Sequence, residues 1–193
     1  MREVNFAFEH ALSRKMGHMG DTQELIEKPL SSAELAVRYR AICEDPCYAN
    51  VPGKIELDVW GRVLMSPASS YHGLVQGRLV YKLKSVLGGE VITEAPIVTP
   101  GGLFLPDVSW ASSQFVSAHR AEFALTRAPE ICIEVVSPSN SVKELTEKRE
   151  AYLAVGAIEV WIVFPQSKRC EFYGPQGRLP ASRYAVDLAD IFS

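Results

Sequence analysis

Long apolar runs are missing from this chain. Nowhere in its 193 residues do about 18 consecutive apolar residues occur, so no transmembrane helix is expected. An excess of one charge is missing too. Lys and Arg number 20 against 23 Asp and Glu, a formal net charge of -3, which removes any global electrostatic argument for nucleic-acid binding and leaves it to a local basic patch. Cysteine is scarce. Cys43, Cys47, Cys132 and Cys170 are too few and too scattered for a disulfide scaffold. The apolar stretch near the amino terminus is broken by Glu9, His10 and Arg14, which spoils it as a secretory signal, so reduced thiols and a cytoplasmic location are expected. Cys43 and Cys47 have no second pair of Cys or His nearby to complete a tetrahedral zinc site, and Cys132 reads as a small core hydrophobe. No internal repeat or low-complexity tract is present.

What remains is ordinary for one globular domain: 47% hydrophobic and 22% charged residues, enough for a substantial core. Residues 31–193 are expected to form that domain, with 1–30 as an amino-terminal extension in which Met16 and Met19 offer alternative starts. "SSAELAVRYRAICEDP" reads as a first helix capped by Ser32, with Leu35, Tyr39 and Ile42 at helical spacing and an end before Pro46. "KIELDVWGRVLMSP" reads as a hairpin around Trp60 and Gly61. The longest helical pattern spans Ser69 to Leu87, with Leu74, Leu79, Leu83 and Leu87 apolar and Gly88-Gly89 as its stop. Arg78, Lys82 and Lys84 make it the chain's one compact basic helix group. "EVITEAPIV", "LFLPDVSWA" and "EICIEVV" follow as strands, the first two joined in a hairpin through "TPGG", and a short helix is placed near Gln114 to His119. A last helix runs from Ser141 to Val155, followed by the strands "AIEVWIVF" and "RCEFYG". The tail "YAVDLADIF" is ambiguous. Hairpin-linked strands beside a strand–helix–strand crossover predict an α/β fold, a mixed sheet with helices on both faces.

Two acids interrupt strand-like runs. Glu134 lies in "ICIEVV" and Asp107 in "FLPDVSW". A buried ionised carboxylate without a partner costs several kcal/mol or takes up a proton, so a cation is expected nearby. If the two strands are neighbours, both acids can face one cation. About 4 Å apart at an effective dielectric near 20, the anions repel by roughly 4 kcal/mol, which a divalent metal removes. Hard oxygen ligands favour magnesium or manganese over zinc. The plainer alternatives are that Asp107 is a turn residue after Pro106 and that Glu134 reaches solvent from a strand end. On the last helix Lys148 and Arg149 are both close enough to the apolar side to supply the cation, and the helical wheel does not choose between them. Lys148 could instead pair with Glu144 one turn away. Tyr152 reads as packing.

The set "ELDVWG", "SPASSYHG", "LPDVSW", "APEICIEVVSPSNS" and "KREAYLAVGAIEVWIV", spread over residues 32 to 175, resembles the Uma2 family of bacterial endonucleases, a branch of the PD-(D/E)XK nuclease superfamily. The resemblance implies a restriction-endonuclease-like αβββαβ core. It places Pro106-Asp107 at the "PD" and Glu134-Val135-Val136 at the "(D/E)XK" tripeptide, with Val136 where that motif expects lysine. The family's match to "K...Y...G" assigns the migrated lysine to Lys148, ahead of Tyr152 and Gly156. By the same resemblance Asp107, Glu134 and the Val135 carbonyl would ligate Mg2+ or Mn2+, and Lys148 would orient the attacking water. Glu56 would complete the metal shell or position a second ion, and His72 would contact phosphate or relay a proton. His72 could otherwise cap its helix, and Glu56 merely flank a hairpin turn. Phe164 departs from the family, which has an acid there. DNA as substrate and a homodimer are implied; a catalytically silent binding domain and a hydrolase of other phosphoesters are the competing readings.

Overall fold

Serine caps and β-strand alternation account for most of the fold. The computed structural model describes residues 28–49, 53–66 and 69–193, so the expected extension over 1–30, with Met16 and Met19, lies outside the described residues but for its last three. Helix α1 is Ser32–Glu44, α2 is Ser70–Leu87, α3 is Ser113–His119 and α4 is Val142–Ala154. Each begins at a serine whose hydroxyl accepts a first-turn N–H: Ser31, Ser69, Ser112 and Ser141. Such caps contribute about 1 kcal/mol apiece. The cap of α1 is therefore Ser31 and not Ser32. Ser31 stands three residues before Glu34, whose carboxylate accepts the Ser31 N–H at 2.8 Å, whereas Ser32 has apolar Leu35 at that spacing. Gly88, at φ +64°, ends α2 as expected. Along α2 the buried positions are Val75, Leu79 and Leu83, one turn apart, while Leu74 remains 47% exposed.

The strands are β1 Lys54–Asp58, β2 Val63–Ser66, β3 Glu90–Thr93, β4 Ile97–Thr99, β5 Gly102–Phe104, β6 Val108–Ala111, β7 Ile131–Val135, β8 Glu159–Phe164, β9 Arg169–Gly174 and β10 Gly177–Leu179. They form two sheets rather than one. The smaller has the order β2-β1-β5-β4 and the larger β10-β9-β8-β7-β6-β3. The division falls at two prolines. "EVITEAPIV" breaks into β3 and β4 at Glu94, Ala95 and Pro96, and "LFLPDVSWA" breaks into β5 and β6 around Pro106. Proline has no N–H for a ladder, and Glu94 adopts φ +53°, off the extended backbone a strand needs. The two breaks lie side by side, with the Glu94 N–H donating to the Pro106 carbonyl at 3.1 Å. They make a seam along which the chain passes twice between the sheets.

In the larger sheet β7 and β8 run parallel, as the α4 crossover requires, and the other pairs are antiparallel. Alternation on β7 sends Ile131, Ile133 and Val135 towards α2 and the carboxy-terminal segment, where they pack with Leu79, Trp161, Ile191 and Phe192. Cys132 faces the other way, with Val160, Ile162, Leu145 and Tyr152 beneath α4. The α/β fold with helices on both faces of a mixed sheet is as expected. A third core, with Leu35, Tyr39, Leu57, Val98 and Leu103, joins α1 to the smaller sheet. That sheet closes at Gly102 (φ +139°), where a Cβ would stand 2.2 Å from the Leu57 carbonyl oxygen. The ambiguous tail ends in a short 3-10 turn, Ala189–Phe192.

Candidate active site

The seam collects the polar residues. On β1 the period of two puts Lys54 and Glu56 on one face, with Ile55 and Leu57 on the other towards α1. Both side chains grip Leu105, the residue between β5 and the Pro106 break. The Leu105 N–H donates to Glu56 Oε1 at 2.8 Å and its carbonyl accepts from Lys54 Nζ at 2.7 Å. Asp107 follows at the start of β6, next to β7, and its Oδ2 accepts the Val135 N–H at 2.7 Å. Glu134 projects from β7 beneath α4, where the Tyr152 hydroxyl donates to its Oε1 at 2.7 Å. From α4, Lys148 Nζ lies 2.7 Å from Glu56 Oε2, 2.9 Å from Glu56 Oε1 and 3.7 Å from Glu134 Oε2. Glu56, Asp107, Glu134 and Lys148 are all buried, between 2% and 4% exposed. Asp107, Glu134 and Lys148 line a cleft of about 230 Å³ together with His72, Glu94, Ser137 and Asn140, and Glu56 lines a neighbouring one that shares Lys148.

All five residues singled out in the sequence therefore come together. Glu134 does not reach solvent, Asp107 is no surface turn, and Lys148 does not pair with Glu144, which instead accepts from Asn140. The choice between Lys148 and Arg149 is settled by geometry: the Arg149 guanidinium stacks 4.4 Å over the Tyr173 ring, away from the acids. His72 sits in the first turn of α2, where the cap is Ser69. Its Nε2 is 3.4 Å from Asp107 Oδ1, and its buried Nδ1 has no hydrogen-bond partner among the described residues. Tyr152 packs, fully buried, and also bonds the acid.

Lys54 was not singled out. Its Nζ lies 2.8 Å from Asp107 Oδ1 and 3.9 Å from both Glu134 Oε2 and Glu56 Oε1, with the side chain 9% exposed. The signal was present in the sequence as the i−2 spacing from Glu56 on a strand. The basic group of α2, by contrast, turns out to be occupied. Arg78 bonds the Ile191 and Ser193 carbonyls, Lys82 pairs with Asp190 at 2.8 Å and Lys84 with Glu90 at 2.9 Å.

The site's electrostatics separate the two acids. Burial pushes the Glu134 carboxyl up to about 7; Lys148 and Lys54 oppose the rise, and the Asp107 and Glu56 carboxylates add to it. Burial acts the same way on Asp107, but hydrogen bonding with His72 and the Lys54 charge outweigh it and hold the group down at about 2. Burial would lower both lysines, yet the surrounding carboxylates raise them, so both stay charged. Glu134 is the acid left short of a cation.

Carboxylates and an ammonium gathered where a mixed sheet splits, under a crossover helix, define a nuclease-like α/β domain. The chain belongs to the Uma2 family, described as "Putative restriction endonuclease", whose model matches residues 38–190. Its fold is shared with a crystal structure of a "putative nuclease belonging to DUF820" from Anabaena variabilis ATCC 29413. The two have a TM-score of 0.62 and 18% identity, over 85% of this chain and 98% of that one. No curated protein matches the chain. Among the described residues, no helix is long and apolar enough to cross a membrane.

Proposed function

We propose that the protein is a metal-dependent endonuclease that hydrolyses DNA phosphodiester bonds. The observation that carries this reading is the meeting of Asp107, Glu134 and Lys148, from three separate segments, at one cleft, with Glu56 paired to Lys148 beside it. The donor set fits magnesium or manganese. It offers hard carboxylate oxygens, one of them short of a cation. Among the described residues no three of His, Cys, Asp and Glu form a ready-made cage. Asp107 and Glu134, with the Val135 carbonyl, would hold the ion. When bound, it supplies Lewis acidity towards the scissile phosphodiester and lowers the pKa of a water.

The chain's own groups do the rest. The Val135 N–H fixes Asp107, and the Tyr152 hydroxyl fixes Glu134. Lys148 donates to charge growing on the phosphoryl oxygens. Glu56, with its oxygens taken by Lys148 and the Leu105 N–H, acts as a positioning residue. His72, at the cleft wall beside Asp107, donates to a substrate phosphate. The working unit is a homodimer, for which Tyr71, Leu74 and Tyr81 exposed along α2 offer an apolar surface; a monomeric mass in solution at working concentration would count against it.

A second reading, a catalytically silent domain of this fold, is favoured by one observation: Lys54 already sits against the acids. Nicking of supercoiled plasmid at low salt with Mg2+ or Mn2+ separates the two. Wild type is expected to nick. Cleavage by soluble, folded Asp107→Asn or Glu134→Gln at the native rate would overturn the nuclease reading.

A further inference from the structure

Two carboxylates, Asp107 and Glu134, and two ammonium groups, Lys54 and Lys148, line the cleft, with the Glu56 carboxylate paired to Lys148 beside it. The lysines are not equivalent. Lys148 has an acid of its own, with both Glu56 oxygens within 2.9 Å. Lys54 has one short carboxylate contact, to Asp107 at 2.8 Å, and one carbonyl, Leu105 at 2.7 Å. Its Nζ then stands 3.9 Å from Glu134 Oε2, between the two acids expected to take the metal. We propose that Lys54 is a built-in competitor for the divalent ion, its ammonium filling the cation position between Asp107 and Glu134 until the ion displaces it. This rests on the nuclease reading of the site.

The physical argument is one of occupancy. A small dication binds carboxylate oxygens at about 2.0–2.1 Å, and an ammonium bonded to the same Asp107 oxygen would be left a few ångströms from it with like charge. One of the two has to leave. Lysine is suited to leaving, being a compact charge on a flexible four-carbon stem. The cleft gives it somewhere to go, since Lys54, Ser137 and Asn140 line the same space. The displaced ammonium has lost its carboxylate and needs an anion, which a substrate phosphodiester in that cleft supplies. Ion and phosphate binding are thereby coupled through Lys54. By linkage each strengthens the other by the same factor.

Two measurements on the full chain test this. In calorimetric titration with Mg2+, Lys54→Gln is expected to bind the ion about tenfold more tightly than wild type or better, because a competing unit charge is gone. In EDTA the same variant is expected to melt below wild type, and Mg2+ should restore it by a larger shift. On wild-type protein, acetic anhydride labelling of Lys54 followed by mass spectrometry is expected to rise several-fold when Mg2+ is added. This second readout needs no substitution and stands if Lys54→Gln fails to fold. Wild type that binds Mg2+ while Lys54 labelling stays flat or falls overturns the competitor and leaves the nuclease reading in place. A folded Lys54→Gln protein that binds the ion no more tightly has the same meaning. No Mg2+ binding by either protein overturns both.

Discussion

Glu134 and Glu159 lie on adjacent parallel strands, β7 and β8, and both are buried, at 3% and 0% exposure. They face opposite sides of the larger sheet. Glu159 is saturated: it accepts from Trp161 Nε1, the Ser182 hydroxyl and the Arg183 N–H, each at 2.7 Å, and so pins the carboxy-terminal segment over the α2 side. Among the described residues, Glu134 has one neutral donor, Tyr152, and beyond it lysine contacts of 3.7 and 3.9 Å, shared with other acids. The same residue type at the same depth therefore does two jobs. A buried carboxylate whose oxygens are filled holds structure together, and one left short of partners beside a cleft is poised for a ligand.

Substitutions can break or sharpen this contrast. Glu134→Gln and Asp107→Asn are expected to lower plasmid nicking by roughly 10²–10³-fold or more, judged by the worth of single electrostatic groups in active sites. Glu134→Gln should also leave the urea midpoint nearly unchanged, because the amide oxygen can still accept from Tyr152. Lys148→Met would strand the buried Glu56 charge, and about 3–5 kcal/mol of stability should be lost together with cleavage. Denaturant titration would show it, so a folded but inactive Lys148 variant is harder to obtain than a folded Glu134 variant. Glu159→Ala leaves the buried Trp161 Nε1 unpaired and removes the acceptor of the part-buried bonds from the Ser182 hydroxyl and the Arg183 N–H, and should cost about 1–3 kcal/mol. In calorimetry, however, its Mg2+ affinity should match wild type; a changed affinity would end the division of labour between the two acids. Smallest of all, Ser69→Ala should cost about 1 kcal/mol through the α2 cap and serves as the baseline for substitutions outside both clusters.

Local chemistry was the legible part of the fold. The Ser141 cap, the α2 stop at Gly88 and the β1–β2 hairpin all follow from neighbours a few residues apart, while the α1 cap falls at Ser31, one residue before the expected Ser32. The seam was harder to read, because "EVITEAPIV" and "LFLPDVSWA" keep strand-like composition through their breaks. Only Pro96 and Pro106 announce that the ladder cannot continue. In the site, Asp107 and Glu134 stood out because acids in apolar runs are conspicuous. Lys54 did not, since a lysine at a strand start is ordinary on any surface. Its burial depends on Leu105 and Asp107, 51 and 53 positions away, and the i−2 spacing from Glu56 alone did not mark it as buried. The helical wheel alone did not separate Lys148 from Arg149; the resemblance selected Lys148, and what draws Arg149 away is Tyr173, on a strand beyond the helix.

The clamp on Leu105 has a kinetic consequence. Lys148 reaches Glu56 across 92 residues and Lys54 reaches Asp107 across 53, so the charges of the candidate site are joined by long loop closures. Removing any of them from water before its partners arrive is unfavourable, which places their docking after the hydrophobic layers have condensed. Contacts made late leave the refolding rate almost untouched and act on the escape rate. In stopped-flow chevrons, Lys148→Met should therefore move the unfolding limb alone. The protein's lifetime against opening is then set by the residues of the candidate site.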